Sequence, residues 1–196
     1  MLNPFVRGGD SHQLIVGMVG TKMGERFVQI GCAHGGRLGA VAARVGLSGR
    51  AVAITPDEAS AERARKGAAQ AGMLVEVEVA PMTALPIEDR AFDVALVDDT
   101  GGLLREMRPE DRHALVRELF RILRPGGRVV ALGAIPQNGL SALLSRGPSE
   151  PSFAATGALH ELLAADGFRP VRTLAERDGL VFIEAAKPRS TPALPA

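Results

Sequence analysis

The sequence predicts an α/β domain with a mostly parallel sheet covered by helices on both faces. Three observations predict it. Apolar strand-like runs alternate with helix-like stretches almost from end to end, the pattern of strand–helix–strand units. The run Phe92 to Val97 carries a single charged residue, Asp93, and otherwise reads as a strand covered on both faces. A first strand, Phe27 to Ile30, leads into a glycine-rich turn, Gly31 to Gly36, that opens a helix. Such a turn leaves free N–H groups at the helix start, facing any ligand held there.

The elements follow in order. Asp10 or Ser11 suits the cap of a first helix, with Leu14, Ile15, Met18 and Val19 on one face and Gly24 as its stop. After the glycine turn, Leu38, Val41, Ala42 and Val45 recur at helical spacing, and Gly46 ends that helix. Arg50 to Ile54 is the second strand. Thr55-Pro56-Asp57-Glu58 reads as a helix start, with Thr55 at the cap, Pro56 in the first turn and Glu58 closing a capping box. That helix runs to Gly72. In Leu74 to Val79, valines alternate with Glu76 and Glu78, which places a third strand near a sheet edge. Pro109 opens a helix with Leu115, Leu119, Ile122 and Leu123 inward. Pro125-Gly126-Gly127 turns the chain into a strand from Arg128 to Leu132. Residues 136–153 read as a long loop. Thr156 suits the cap of a last helix that ends at Gly167. Two strands, Val171 to Ala175 and Leu180 to Ala185, close the chain around an Asp178-Gly179 hairpin signal. One domain over residues 1–187 and a flexible tail over 188–196 account for all 196 residues.

Composition narrows the function. Lys and Arg total 23 against 22 for Asp and Glu, so bulk charge gives no case for a nucleic-acid partner. Trp and Tyr are absent, which argues against a base-stacking platform. The apolar runs fall short of a membrane span, and residues 1–10 lack the apolar stretch of a signal peptide. A single cysteine, Cys32, suits a reducing compartment, so a cytoplasmic location is expected. His12, His113 and His160 show no ligand spacing, and no metal is expected.

The chemistry centres on Gln29-Ile30-Gly31-Cys32-Ala33-His34-Gly35-Gly36. Glycines allow a tight turn and a close ligand approach. Further along come Ala84-Leu85-Pro86, then Ala91-Phe92-Asp93-Val94, then Leu123-Arg124-Pro125-Gly126-Gly127-Arg128. In this order the motifs resemble the class I S-adenosylmethionine-dependent methyltransferases over roughly residues 25–135. The resemblance implies a Rossmann-like, seven-stranded sheet of order 3-2-1-4-5-7-6 and S-adenosylmethionine as cofactor. It also places the cofactor contacts at Gln29, Gly31, Cys32, Ala33, His34, Gly35, Thr55, Pro56, Met82, Thr83 and Asp98.

Three acidic positions of that family's pattern are not acidic here. Gln29 stands where an acidic residue usually precedes the first glycine. Thr55 stands where an acidic residue usually binds the ribose, and Pro81 where one usually binds the adenine amine. Losing two charge-assisted hydrogen bonds removes ~3–6 kcal/mol, or about 10²–10⁴ in affinity. Asp57 and Glu58 are the carboxylates that a shifted turn would bring to the ribose. Met82 and Thr83 offer an apolar wall and a hydroxyl near an adenine. Ala33 replaces the middle glycine, which a negative φ tolerates. A solvent-facing His34 and a packed Cys32 are the simplest readings of those two side chains.

Asp98 and Asp99 end the central strand and are the candidate catalytic groups, as base or orienting acceptor. The bland alternative is that one of them caps the helix beginning near Gly101. A loose dinucleotide fingerprint, Gly31-x-Ala33-x-x-Gly36, lacks its acidic partner at Thr55 and leaves the Pro-Gly-Gly turn unexplained. The expected function is therefore methylation of a small-molecule or lipid-like acceptor. By analogy, the loop from Pro136 to Phe153 and the first helix, with Met18 and Met23, form the acceptor pocket. The rival is a catalytically silent fold that serves as a scaffold for a protein partner. Self-association fits both.

Overall fold

The computed structural model describes residues 7–136 and 150–189, with side chains from His12 onward. Expectations for positions 137–149 of the long loop and 190–196 of the tail lie outside the described residues. The chain runs α1 (Arg7–Val19), β1 (Arg26–Ile30), α2 (Gly35–Val45), β2 (Arg50–Thr55), α3 (Glu58–Gln70), β3 (Glu76–Val79), β4 (Phe92–Asp98), α4 (Leu103–Glu106), α5 (Pro109–Ile122) and β5 (Leu123–Ala134). A 3₁₀ turn (Phe153–Thr156), α6 (Ala158–Ala165), β6 (Val171–Arg177) and β7 (Leu180–Ala186) complete it. The strands form one seven-stranded sheet in the order β3-β2-β1-β4-β5-β7-β6. The first five are parallel, and β7 pairs antiparallel with both β5 and β6. This is the order that the resemblance implies.

Alternation along the strands builds two cores. Val28, Ile30, Val52 and Ile54 join Leu115, Leu119 and Leu163 on one face. Phe27, Leu96 and Phe182 join Ile15, Leu38 and Val41 on the other. β4, sealed between β1 and β5, is almost wholly buried, whereas β3 at the edge exposes Glu76 and Glu78. Asp178 and Gly179 take φ of 56° and 74°, the left-handed pair that a two-residue hairpin turn needs. Among the described residues no helix is long and apolar enough to cross a membrane.

The sequence motifs act as clamps at the ends of the sheet. Asp93 accepts from the Arg26 N–H at 2.7 Å and pairs with Arg124, which ties the start of β1 to the Pro-Gly-Gly turn. That turn lies within β5, because Leu123 already pairs with Phe92 before the register shifts to Val94 and Arg128. Glu118 and Arg121 of α5 grip the Leu85–Ile87 segment through its backbone.

Several boundaries differ from expectation. α1 begins at Arg7, so Asp10 and Ser11 lie inside the helix, and it stops before Gly20, whose φ is +60°. The cap of α3 is Asp57, not Thr55. The Asp57 carboxylate accepts from the Ser60 N–H at 2.7 Å, while Thr55 is still strand and donates its hydroxyl to the Asp57 and Glu78 carbonyls. Pairing with β3 extends β2 through Thr55 and pushes the helix start two residues on. Gly157, not Thr156, precedes α6, since the Thr156 hydroxyl is spent on the Phe153 carbonyl at 2.7 Å.

Candidate active site

The carboxyl ends of β1, β2 and β4 surround a cavity of about 200 Å³. Its walls come from the glycine turn (Gly31, Cys32, Ala33), the start of α3 (Pro56, Asp57, Ser60, Arg63) and the segment after β4 (Asp98, Gly101, Leu103, Glu106). This is the crevice where open α/β sheets hold ligands.

The glycine turn is fixed from three sides. Gly31 has φ +75°, and its N–H donates to the Ile54 carbonyl at 2.8 Å. A Cβ on Gly31 would fall 2.8 Å from Leu103 Cδ2 and 3.2 Å from the Asp98 carbonyl oxygen, so only glycine fits beneath Leu103. Asp98 is buried and accepts from the Ala33 N–H at 2.9 Å and from the Thr100 hydroxyl at 2.6 Å. Arg37 donates to the same Thr100 hydroxyl at 2.8 Å and lies 3.9 Å from the Asp98 carboxylate. Arg63 donates to the Cys32 carbonyl at 3.0 Å and to Ser60 Oγ at 2.7 Å. Ala33 keeps a φ that is not positive, so its methyl is accommodated.

Gln29 lies fully buried behind the turn. Its Nε2 donates to the Gly31 carbonyl at 2.9 Å, and its Oε1 has no partner among the described residues. A carboxylate has no proton to donate to that carbonyl, so the exchange of acid for amide gives the turn an internal strut.

The remaining predicted residues divide between cavity and scaffold. Gly31, Cys32, Ala33, Pro56 and Asp98 line the cavity. Gly35 serves helix packing: a Cβ there would land on the Arg63 carbonyl of α3. His34 precedes α2 without capping it, and burial, with Arg37 nearby, pushes its imidazole below the usual range. Cys32 belongs to the core, and burial lifts its thiol to about 11, so it holds its proton at neutral pH. Thr55 is fully buried and consumed by backbone. Met82 and Thr83 line a neighbouring hollow.

Asp99 does not line the cavity. Its carboxylate accepts from the Leu104 N–H at 2.7 Å and the Ala154 N–H at 2.9 Å, stapling α4 and the 3₁₀ turn to the sheet. Burial raises its carboxyl above the usual range despite those bonds. Met23 is 81% exposed beside Gly46, at the amino end of β1, and Met18 packs into the core. Neither methionine lines the cavity, because the strands run away from both.

Asp57, Ser60, Arg63, Gly101, Leu103 and Glu106 complete the walls. Among them, the sequence signalled only Asp57, as a carboxylate near the end of β2.

A family description, "Methyltransferase domain", matches residues 27–127. The chain belongs to this methyltransferase-domain family. S-adenosylmethionine is the cofactor of the family. An uncharacterized 37.1 kDa protein in transposon TN4556 of Streptomyces fradiae is 36% identical over 107 residues, which are 55% of this chain and 29% of that protein. A 24-methylenesterol C-methyltransferase 2 of Oryza sativa subsp. japonica is 31% identical over 119 residues, 60% of this chain and 31% of that enzyme. The chain thus spans about a third of the length of these relatives. In fold, this methyltransferase domain is similar to a SAM-dependent methyltransferase from Aquifex aeolicus, with a TM-score of 0.72 at 20% identity over 89% of this chain and 88% of that one.

The residues present fit that cofactor on two counts. Gly31 puts no side chain of its own into the cavity, beneath Leu103, and the Asp57 carboxylate in the cavity wall is an acceptor of the kind that ribose hydroxyls take. Each Asp57 oxygen takes one bond from Ser60 and has a lone pair to spare.

Proposed function

We propose that this domain transfers a methyl group from S-adenosylmethionine to a small-molecule or lipid-like acceptor. The observation that carries the reading is the Asp57 carboxylate in a cavity floored by Gly31, at the carboxyl ends of β1 and β2. When bound, S-adenosylmethionine supplies an electrophilic methyl group on a sulfonium. The chain's own part is to bind and orient. Asp57 accepts from the ribose hydroxyls, Asp98 holds the turn through Ala33, and Leu103 presents an apolar wall. Asp98 holds the Ala33 N–H and the Thr100 hydroxyl, and Asp99 holds the Leu104 and Ala154 N–H groups, so both serve the site as positioning groups. Positioning for in-line displacement is then the main source of rate. The near-neutral charge and the sterol-methylating rice relative support a small or lipid-like acceptor.

One observation favours the silent scaffold. The cavity is smaller than the ~300–1,000 Å³ usual for ligand pockets, and Leu103 sits over Gly31. Isothermal titration with S-adenosylmethionine and S-adenosylhomocysteine separates the two. Micromolar binding is expected. No heat and no thermal shift at millimolar ligand would leave only the scaffold.

A further inference from the structure

The balance of 23 basic against 22 acidic residues hides an uneven distribution. β1 to β5 run parallel, and β7 runs back between β5 and β6. The turns that lead into β1, β2, β3, β4 and β6 therefore meet the residues after β7 at one pole, opposite the cavity. Lys22, Arg44, Arg90, Arg169 and Arg189 stand exposed at this pole, and their side chains make no ion pair among the described residues. The carboxylates around them are engaged. Glu76 pairs with Arg50, Asp89 with Arg121, and Asp93 with Arg26 and Arg124, while Glu25 accepts from the Lys22 N–H. Among the described residues, that leaves Glu88 as the free acid against five free cations.

Three of the four large apolar side chains left exposed among the described residues stand at the same pole. Met23 is 81%, Leu47 92% and Leu74 87% exposed, each just ahead of a strand, β1, β2 and β3 in turn. Neighbouring strands lie ~4.8 Å apart, so these three strand starts span only about 10 Å. The turns are braced. The Lys22 N–H donates to the Glu25 carboxylate at 2.9 Å and the Gly24 N–H to the Val45 carbonyl at 2.9 Å, and Met23 Cγ packs over Gly46. Lys22 adjoins Met23, and Arg44 lies three residues before Leu47. Single exposed apolar residues are ordinary on a surface, but three on adjacent turns beside unpaired cations are grouped. A polyanion would satisfy the cations and leave the apolar tips in water. An anionic bilayer offers phosphates to the cations and, within ~5–10 Å, an acyl boundary to the tips.

We propose that this pole docks on an anionic phospholipid surface, with Met23, Leu47 and Leu74 set among the headgroups and the free Lys and Arg side chains on the phosphates. The cavity, at the carboxyl ends of the strands, then opens to water. The docking uses no residue of the cavity and is independent of methyl transfer. Co-sedimentation of the protein, without cofactor, tests it on vesicles of equal parts phosphatidylglycerol and phosphatidylcholine and on vesicles of phosphatidylcholine alone. The wild type is expected to bind the mixed vesicles and not the pure ones. Met23→Ser with Leu47→Ser, which leaves the charge unchanged, is expected to weaken binding about tenfold or more. Lys22→Ala with Arg44→Ala is expected to weaken it roughly thirtyfold. Arg108→Ala, near the cavity, is expected to bind like the wild type. Melting temperatures verify that the variants are folded. A wild type that stays in the supernatant with both vesicles overturns the proposal. So does binding that survives the two serine substitutions intact but falls with the two cations, since the surface would then be purely ionic and suit an acidic protein or a nucleic acid. An equal loss in Arg108→Ala also overturns it, because attraction would then belong to the whole chain rather than to this pole.

Discussion

At the entrance to α3, Asp57 caps the helix and faces the cavity, and two substitutions separate these tasks. Asparagine caps a helix about as well as aspartate, whereas alanine costs about 1 kcal/mol. Asp57→Asn is therefore expected to keep the wild-type stability in chemical denaturation yet bind S-adenosylmethionine about tenfold more weakly. Asp57→Ala is expected to lose both. The hydrogen bond from the Ser60 backbone, the larger influence that favours the carboxylate, holds the Asp57 carboxyl below the usual range. Its capping contribution is thus complete above the ordinary carboxylate pKa and fades as pH falls through the depressed value. A denaturation series from pH 7 to pH 3 should show the gap between wild type and Asp57→Ala narrowing at the acid end. Gln29 gives a second contrast. Gln29→Glu sets a buried carboxylate against the Gly31 carbonyl and is expected to cost about 3 kcal/mol or more. Gln29→Met loses one strut but buries no charge and should cost less. Equal losses in the two variants would sink the strut.

The helices that frame the cavity are set by absent side chains. A Cβ on Gly67 would land on the Gly35 carbonyl, and one on Gly39 would lie 2.6 Å from the Gly67 carbonyl oxygen. These are backbone atoms that cannot swing aside, so α2 and α3 touch through their main chains. Gly67→Ala is expected to push α3 outward, carry Arg63 away from the Cys32 carbonyl and cost about 3 kcal/mol or more. Gly17→Ala is the control. It has open space around it within α1 and is expected to gain roughly 0.5–1 kcal/mol. Urea midpoints of the two variants should therefore move in opposite directions. At this scale the sequence was informative where one residue type answers one geometric demand. Asp178-Gly179, the alternating edge strand β3 and the apolar β4 were all legible for that reason. It was less informative where two neighbours compete for one task. Thr55 and Asp57 are both good caps, and only pairing with β3 decides that Thr55 stays strand. The short α4 was legible as a helix near Gly101 capped by Asp98 or Asp99, and only the structure decides between the two: Asp99 takes the Leu104 N–H and also holds Ala154.

Across the whole molecule, motif order along the chain carried the topology, while the site depended on contacts between distant segments. Leu103 over Gly31 and Arg63 against Cys32 join residues that no local spacing links. The same fact ties function to global stability. A ligand that engages the glycine turn, the start of α3 and α4 together binds only the folded chain, so it must stabilise that chain by mass action. At a hundredfold excess over its dissociation constant the gain is about 2.7 kcal/mol. For a domain of this size each kcal/mol raises the melting temperature by roughly 2–4 °C. S-adenosylhomocysteine at that excess is expected to raise it by about 5–11 °C, read by differential scanning fluorimetry. Gly31→Ala, which forces a methyl against Leu103 and a φ of +75°, is expected to abolish the shift. A shift that survives Gly31→Ala in a folded protein would mean that the ligand sits elsewhere, and the glycine turn would lose its place as the floor of the site.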